Sequence, residues 1–262
     1  MAPAVVLCHG AWHIPRHYAD VVTHLNSKGF TRVHVPRLPS ATDTLPLPPT
    51  ANLAHDTAEI RSTIQALVEE GQQVVLLMHS YGGVVGSNAL DGLLWPQRQA
   101  KGLPGGVIHL IYMAAFVIPA GTSLTTPFEG EMMPWLTEDT ENGIIHMNDP
   151  RHAFYEHIES DAEAQEWLDM TVLCPSSVVR DTLQCAPYER IGQGVDATYL
   201  VCSQDKELTV PVQEAMATLL GDTRTMEYCD AGHCVMLGYA ETIADVVGRA
   251  YQRSRVRLEP TD

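Results

Sequence analysis

Short runs of consecutive apolar residues recur along the chain, and most are followed by a turn and a segment with helical spacing. The clearest runs are residues 4–8 and 74–78, each with five apolar residues in a row. Such runs are typical of strands buried on both faces of a sheet. Further strands are predicted at 31–36, 107–117, 198–202 and 225–229.

Helical periodicity is clearest over residues 53–70, where Ile60, Ile64 and Leu67 recur on one face before Gly71. Because strands alternate with helices, we predict an α/β fold with a mostly parallel sheet and helices on both faces. The polar segment after the last helix is expected to be loose. The other core helices are predicted at 18–28, 84–94, 210–220 and 241–252.

Residues 119–190 break this alternation. The stretch contains Pro, Met, Trp and acidic residues, and its helical spacing is confined to two pieces near 152–173 and 176–184. We therefore predict a core formed by residues 1–118 and 191–262. The intervening segment is interpreted as a lid inserted into that core.

The charge and composition limit the classes of partner that we expect. The formal net charge of −16 repels nucleic acid and anionic membranes. The amino terminus has no basic, apolar leader and no window is long enough for a membrane span, so a cytoplasmic location is expected.

The six cysteines show no CxxC spacing, which predicts free thiols. His13 and His17 stand four apart without a third ligand, so no metal is expected. A homodimer is left open.

A candidate nucleophile follows the second apolar run. The segment 78–82 reads Met-His-Ser-Tyr-Gly, in the place of a G-x-S-x-G elbow, with Ser80 at its centre. A strand-to-helix turn exposes the serine hydroxyl and aims a helix amino terminus at developing negative charge. Met78 departs from the pattern, because the first glycine is missing. The alternative is an ordinary turn carrying an exposed serine.

A second loop follows the first strand at His9-Gly10-Ala11-Trp12. Such a loop can present a backbone N–H to a carbonyl oxygen. We predict that the N–H groups of Ala11 and Tyr81 form an oxyanion hole. Gly10 is expected to be required by close approach of neighbouring atoms, and His9 to be structural. The alternative is a plain turn at the end of a strand.

The predicted base is His233, which follows the last strand, where functional groups gather in open α/β sheets. Asp205 follows the strand at 198–202 and is the predicted acid that orients the imidazole. Glu207 and Asp230 are its rivals. Glu207 lies further into the loop, and Asp230 is close in sequence to the histidine. The order Ser, Asp, His is that of α/β-hydrolases.

These segments resemble the α/β-hydrolase branch that holds plant methylesterases, hydroxynitrile lyases and related bacterial and fungal esterases. The resemblance rests on residues 5–13, 79–83, 199–205 and 232–233, and residues 166–176 resemble the lid of that branch. It covers essentially the whole chain. It implies an α/β-hydrolase fold with a lid and an enzyme without a cofactor, acting on small esters or related carbonyl compounds.

The resemblance also raises the question of reaction type. The similar lyases carry Thr after the first-strand His and Lys after the catalytic His, where this chain has Gly10 and Cys234. Both differences favour hydrolysis. An apolar lid implies a hydrophobic ester or lactone as substrate, and the resemblance to fungal relatives implies a polyketide or another secondary metabolite. The alternatives are a lyase, a retro-Claisen hydrolase, a cyclase or a silent ligand-binding receptor. The side chains expected to line an apolar pocket, unless they merely pack in the core, are Trp12, Tyr81, Phe116, Met132, Met133, Trp135 and Trp167.

Overall fold

A computed structural model describes residues 2–258 of the chain. Its centre is a parallel six-stranded sheet with the strand order β2-β1-β3-β4-β7-β8. The four central strands are almost entirely buried, as their uninterrupted apolar runs predict. The sheet strands are β1 (Ala4–Cys8), β2 (Val33–His34), β3 (Gln73–His79), β4 (Gly106–Met113), β7 (Asp196–Cys202) and β8 (Thr225–Cys229).

Helices surround this sheet, as predicted. Helix α1 packs with α9, and α2 packs with α3, and members of both pairs contact the strands. Within residues 2–258, no helix combines the length and the apolar character needed to cross a membrane. The core helices are α1 (Ala19–Ser27), α2 (Leu53–Glu69), α3 (Gly82–Asn88), α4 (Trp95–Gln99), α8 (Val210–Ala217) and α9 (Ala240–Leu258).

The last helix is longer than predicted, and the expectation of a loose segment directly after residue 252 is wrong. Arg253 lies 2.9 Å from Glu227 of β8, and Ser254 donates to Asp196 of β7 over 3.0 Å. Arg257 pairs with the same aspartate at 2.6 Å. These contacts attach the polar end of α9 to the sheet. The remainder of that prediction, residues 259–262, lies outside the described residues.

Residues 119–190 lie between β4 and β7 and form mostly short elements. The predicted helical pieces are three short helices: α5 (Pro150–Tyr155), α6 (Asp161–Asp169) and α7 (Ser177–Arg180). An antiparallel hairpin of β5 (Leu136–Asp139) and β6 (Ile144–Met147) precedes them. The sequence analysis did not predict this hairpin. That the segment acts as a lid stays a prediction.

The register of the parallel strands brings their carboxyl ends to one edge. Cys8 pairs with Met78 at the ends of β1 and β3, and Cys202 pairs with Cys229 at the ends of β7 and β8. The loops that follow these four strands carry all five residues predicted for the chemistry. Topology alone therefore gathers them at one edge of the sheet.

Candidate active site

Ser80 occupies a sharp turn between β3 and α3. Its φ of 54° is in the left-handed region, which a residue with a side chain adopts only when its surroundings enforce it. The next turn of chain is crowded, because a Cβ on Gly82 would collide with the carbonyl oxygen of Cys8. A Cβ on Gly83 would collide with the carbonyl oxygen of Phe116 in the same way. The glycines let α3 start close to the sheet, and the strained turn raises the serine hydroxyl above it.

The departure at Met78 has a structural explanation. A Cβ placed on Gly86 of α3 would lie 2.5 Å from the Met78 sulfur. The thioether therefore fills the space that a side chain at position 86 would otherwise occupy. Gly86 thus makes room for the longer side chain at position 78, and the turn at Ser80 forms without a glycine there.

Ser80, His233 and Asp205 form one hydrogen-bonded row. His233 Nε2 lies 3.0 Å from Ser80 Oγ, and its Nδ1 lies 2.9 Å from Asp205 Oδ2. All three residues are buried. The second carboxylate oxygen of Asp205 accepts from the backbone N–H groups of Glu207 and Leu208, both over 2.8 Å. These bonds fix the carboxylate, so the imidazole is held with Nδ1 as donor and Nε2 facing the hydroxyl.

The two rival acids take other positions. Asp230 is exposed and accepts from Ser203 Oγ at 2.8 Å and Gln204 Nε2 at 2.7 Å. Glu207 lines the cavity beside Ser80, and its carboxylate accepts from the Trp135 indole at 3.2 Å. Asp205 is the acid that the structure brings to the imidazole.

The electrostatics of His233 differ from those of the histidines around it. Burial lowers its pKa, but the charge of Asp205, the hydrogen bond to it and the charge of Glu207 outweigh burial, so the net pKa is raised above 6.5. By contrast, burial lowers the pKa of His9 to about 4, and it lowers the pKa values of His13 and His79 too. Around neutral pH, His233 is therefore the imidazole in this group best able to hold an additional proton.

Ala11 and Tyr81, whose backbone N–H groups are predicted to form the oxyanion hole, lie at the same cavity as Ser80. Among residues 2–258, neither the Ala11 N–H nor the Tyr81 N–H donates to another protein atom. Both residues line the cavity that contains Ser80. The Tyr81 side chain is fixed by its hydroxyl, which donates to Asp56 over 2.9 Å, and burial raises the pKa of that carboxyl to about 6. This arrangement leaves two fixed backbone donors available to a negative oxygen.

Buried histidines hold the loop that carries Ala11. His9 Nδ1 donates to the carbonyl oxygen of Gly10 at 2.9 Å, and His13 Nδ1 donates to that of Ala11 at 2.7 Å. With two carbonyls of the loop engaged, its backbone orientation is fixed. A Cβ on Gly10 would lie 3.0 Å from the Ser80 Cβ, in line with the close approach expected there.

A further series of hydrogen bonds, which the sequence analysis did not predict, links this loop to the loop that carries His233. The Gly10 N–H donates to the Tyr18 hydroxyl at 3.1 Å, and that hydroxyl lies 2.7 Å from His79 Nδ1. His79 Nε2 in turn donates to the His233 carbonyl oxygen at 2.9 Å. Tyr18 and His79 are thus positioning residues that tie both sides of the site together. Their signal in the sequence is weak, because a tyrosine in a helical pattern suggests only core packing.

The cavity beside Ser80 is small and mainly apolar. It measures about 20 Å³, whereas a single water needs roughly 10–15 Å³. Of the predicted pocket residues, it includes Trp12, Tyr81, Phe116 and Met133. The lining residues that the sequence analysis missed as pocket residues are Leu124, Leu136, Phe154, Val178, Val179 and Glu207. Most of these lie on the 119–190 segment, which therefore contributes a large part of the lining.

Three predicted pocket residues lie outside this lining. Trp135 is 37% exposed and borders a neighbouring cavity, where its indole donates to Glu207. Trp167 packs on His17, with ring centroids 5.6 Å apart. Met132 is half-buried against the core. Aromatic and Met composition marks the segment as apolar, but it does not say which side chains face inward.

His13 and His17 are neighbours, with ring centroids 4.8 Å apart. Both nitrogens of His13 have protein partners, since Nε2 lies 3.0 Å from the Tyr155 hydroxyl. Over the described part of the chain, no group of three or more His, Cys, Asp or Glu side chains is arranged to hold a metal ion.

Comparison with known proteins agrees with this architecture. The model of the alpha/beta hydrolase family matches residues 5–246. Alpha/beta hydrolase nvfD of Aspergillus novofumigatus is 29% identical over 256 residues, which are 95% of this chain and 97% of that protein.

Two solved structures share the fold. A pyrethroid hydrolase from Sphingobium faniae superposes with a TM-score of 0.71 at 21% identity, over 96% of this chain and 98% of that one. Polyneuridine aldehyde esterase superposes with a TM-score of 0.70 at 19% identity, over 95% and 99%. At these identities the likeness establishes the fold and leaves the substrate open.

Proposed function

We propose that this chain, which belongs to the alpha/beta hydrolase family, is a serine hydrolase that cleaves a small hydrophobic ester or lactone through an acyl-enzyme. The observation that carries the proposal is the buried row from Ser80 through His233 to Asp205, with bonds of 3.0 and 2.9 Å. A serine hydroxyl becomes a useful nucleophile only when a base removes its proton.

The geometry supports a two-step mechanism. Ser80 Oγ attacks the substrate carbonyl carbon while His233 Nε2 takes its proton, and Asp205 stabilises the imidazolium. The N–H groups of Ala11 and Tyr81 bind the oxyanion, and a lost donor in such a site costs about 2.7–4 kcal/mol. His233 then protonates the leaving oxygen, whose bond to the carbonyl carbon breaks. Water, deprotonated by the same imidazole, attacks the acyl-enzyme and releases the acid and the free serine.

The lining of the cavity supports a hydrophobic substrate, because nearly all of its side chains are apolar. A cavity of about 20 Å³ is too small for any ester. Substrate binding therefore requires side chains of the 119–190 segment to move aside, which is the role of a lid.

Two positions support hydrolysis over cyanohydrin cleavage. Gly10 offers no hydroxyl at the place where the similar lyases have Thr. Cys234, where they have Lys, is a buried thiol whose sulfur lies 3.2 Å from His13 Nε2. A thiol carries no positive charge in either protonation state, so the position offers none to a leaving cyanide, and burial raises its pKa and keeps it neutral.

The test is hydrolysis of p-nitrophenyl acetate and butyrate by the wild-type chain and by Ser80→Ala. We expect the wild type to release p-nitrophenol and the variant to fall to the background rate. Activity that survives the substitution would reject Ser80 as the nucleophile. Product analysis by mass spectrometry then separates an ester hydrolase, which yields acid and alcohol, from an enzyme that cleaves carbon–carbon bonds.

A further inference from the structure

Glu207 is an unusual member of the lining around Ser80. Within the part of the chain that the structure describes, the Ser80 hydroxyl pairs with His233 and the Tyr81 hydroxyl donates to Asp56, so Glu207 supplies the carboxylate of this lining. Glu207 also borders the neighbouring cavity that Trp135 lines, and a partly buried carboxylate costs free energy unless a donor satisfies it. The question is which partner this carboxylate serves.

The position of Glu207 is fixed by the loop of the acid. Its backbone N–H donates to Asp205 Oδ1 over 2.8 Å, and the next residue, Leu208, donates to the same oxygen. The side chain therefore projects from a backbone that is tied to the hydrogen-bonded row. The place where the side chain leaves the backbone is therefore fixed beside the cavity.

Protein donors to this carboxylate are few. Between residues 2 and 258, the hydrogen bond to Glu207 comes from the Trp135 indole, over 3.2 Å to Oε1, and no Lys or Arg forms an ion pair with it. The adjacent Lys206 instead lies 3.8 Å from Glu156. Burial raises the pKa of the Glu207 carboxyl, while the charge of His233 and the bond from Trp135 lower it. Among residues 2–258, Oε2 accepts no hydrogen bond, and it stays accessible to a donor from outside the protein.

We infer that Glu207 accepts a hydrogen bond from a hydroxyl group of the substrate, so that the preferred substrate is a hydrophobic ester that carries a hydroxyl. This inference rests on the proposed function, because it assigns a substrate feature to the Ser80 cavity. A neutral hydroxyl fits better than an ammonium ion, whose desolvation among apolar side chains would be expensive. A site built to bind a hydroxyl discriminates against the analogue without it, because its own polar group is then left unpaired.

The test compares methyl phenylacetate with its 2-, 3- and 4-hydroxy derivatives, which place the hydroxyl at successive positions on one scaffold. We expect the wild type to favour at least one hydroxylated ester over the parent by roughly 10- to 100-fold in kcat/KM, the range for a hydrogen bond to a charged group. Glu207→Leu should reduce that ratio to near one. Glu207→Gln keeps an acceptor and should retain part of it.

Glu59→Leu is the matched control, because Glu59 is exposed on α2 and is not among the residues that line the cavity. It should leave the ratio unchanged. The 4-aminomethyl derivative carries a positive charge and therefore distinguishes a site that binds a hydroxyl group from one that binds a cation. If that cationic ester is preferred over every hydroxylated one, the assignment of a hydroxyl is overturned.

Binding distinguishes failure of this inference from failure of the proposed function. The same esters are titrated calorimetrically into Ser80→Ala, with and without Glu207→Leu, so that no turnover is needed. Tighter binding of a hydroxylated ester that depends on Glu207 supports the inference even if the wild type hydrolyses nothing. Ser80-dependent hydrolysis with equal rates for all esters, or a preference that persists in both Glu207 variants, overturns the inference and leaves the hydrolase assignment standing.

Discussion

Replacing Asp205 by Asn exchanges one carboxylate oxygen for an amide NH₂. Both oxygens of the Asp205 carboxylate accept hydrogen bonds from the protein. Oδ1 accepts from the N–H groups of Glu207 and Leu208, and Oδ2 faces His233 Nδ1. The amide can be placed in two ways. With its NH₂ toward the two backbone N–H groups, donors face donors and two bonds to a fixed acceptor are lost, which costs about 1–3 kcal/mol for each unsatisfied group.

With its NH₂ toward His233, all three hydrogen bonds survive, but only if Nδ1 is an acceptor. We therefore expect this second placement. The proton of the neutral imidazole then sits on Nε2, which faces Ser80 Oγ, and the ring cannot take the serine proton. In a comparable triad the same change lowers kcat by roughly 10⁴-fold, or about 5.4 kcal/mol of barrier.

The assay is steady-state hydrolysis of p-nitrophenyl acetate at pH 8, with circular dichroism to check that the variant is folded. Asp230→Asn is the matched control, because that rival carboxylate is exposed and, among residues 2–258, bonds to Ser203 and Gln204 rather than to the imidazole. It should change kcat by no more than about twofold, which corresponds to under ~0.5 kcal/mol of activation free energy. A folded Asp205→Asn protein that retains wild-type activity, or an Asp230→Asn protein that loses it, would refute this reasoning.

Two other properties follow from the site. The pKa of His233 is raised above 6.5, because the charge of Asp205 and the hydrogen bond to it outweigh burial. Since the base works only when it is neutral, kcat/KM should rise with pH, with a midpoint above 6.5. A pH–rate profile whose midpoint lies below that value would contradict this prediction. Gly82→Ala should lower the free energy of unfolding by at least about 1–3 kcal/mol, because its Cβ would collide with the Cys8 carbonyl oxygen. Gly248→Ala in α9, with open space around it, should instead stabilise the helix by ~0.5–1 kcal/mol. Urea denaturation measures both changes, and equal shifts for the two variants would be inconsistent with the packing described.

The parts of the site that could be predicted from sequence are those set by local structure. Ser80, Asp205 and His233 each follow an apolar strand closely, and the carboxyl ends of parallel strands share an edge. The choice between Asp205 and Glu207 was harder, because both lie on one loop. The structure places Asp205 Oδ2 2.9 Å from His233 Nδ1 while backbone N–H groups bind Oδ1, and no pattern of residue types reveals those bonds.

The parts that could not be predicted depend on contacts between distant segments. Phe154 reaches the cavity because α5 packs over the core, with its ring 5.8 Å from that of His233. Tyr18 and His79 join two loops through one hydroxyl. The end of α9 is helical because Asp196 and Glu227 of the sheet bind its arginines. None of these partners is near in sequence, so the hydrophobic periodicity of a single segment cannot predict the contacts between them.

Covalent labelling tests the central claim most directly, since a fluorophosphonate reacts far faster with a serine that a neighbouring base activates than with an ordinary serine. The wild-type chain is treated with the reagent, digested and mapped by mass spectrometry, beside Ser80→Ala and Asp205→Asn. We predict a single adduct on Ser80, none in Ser80→Ala and much slower labelling in Asp205→Asn. An adduct on another residue, or a wild-type protein that is folded and remains unlabelled, would contradict the assignment of Ser80 as an activated nucleophile.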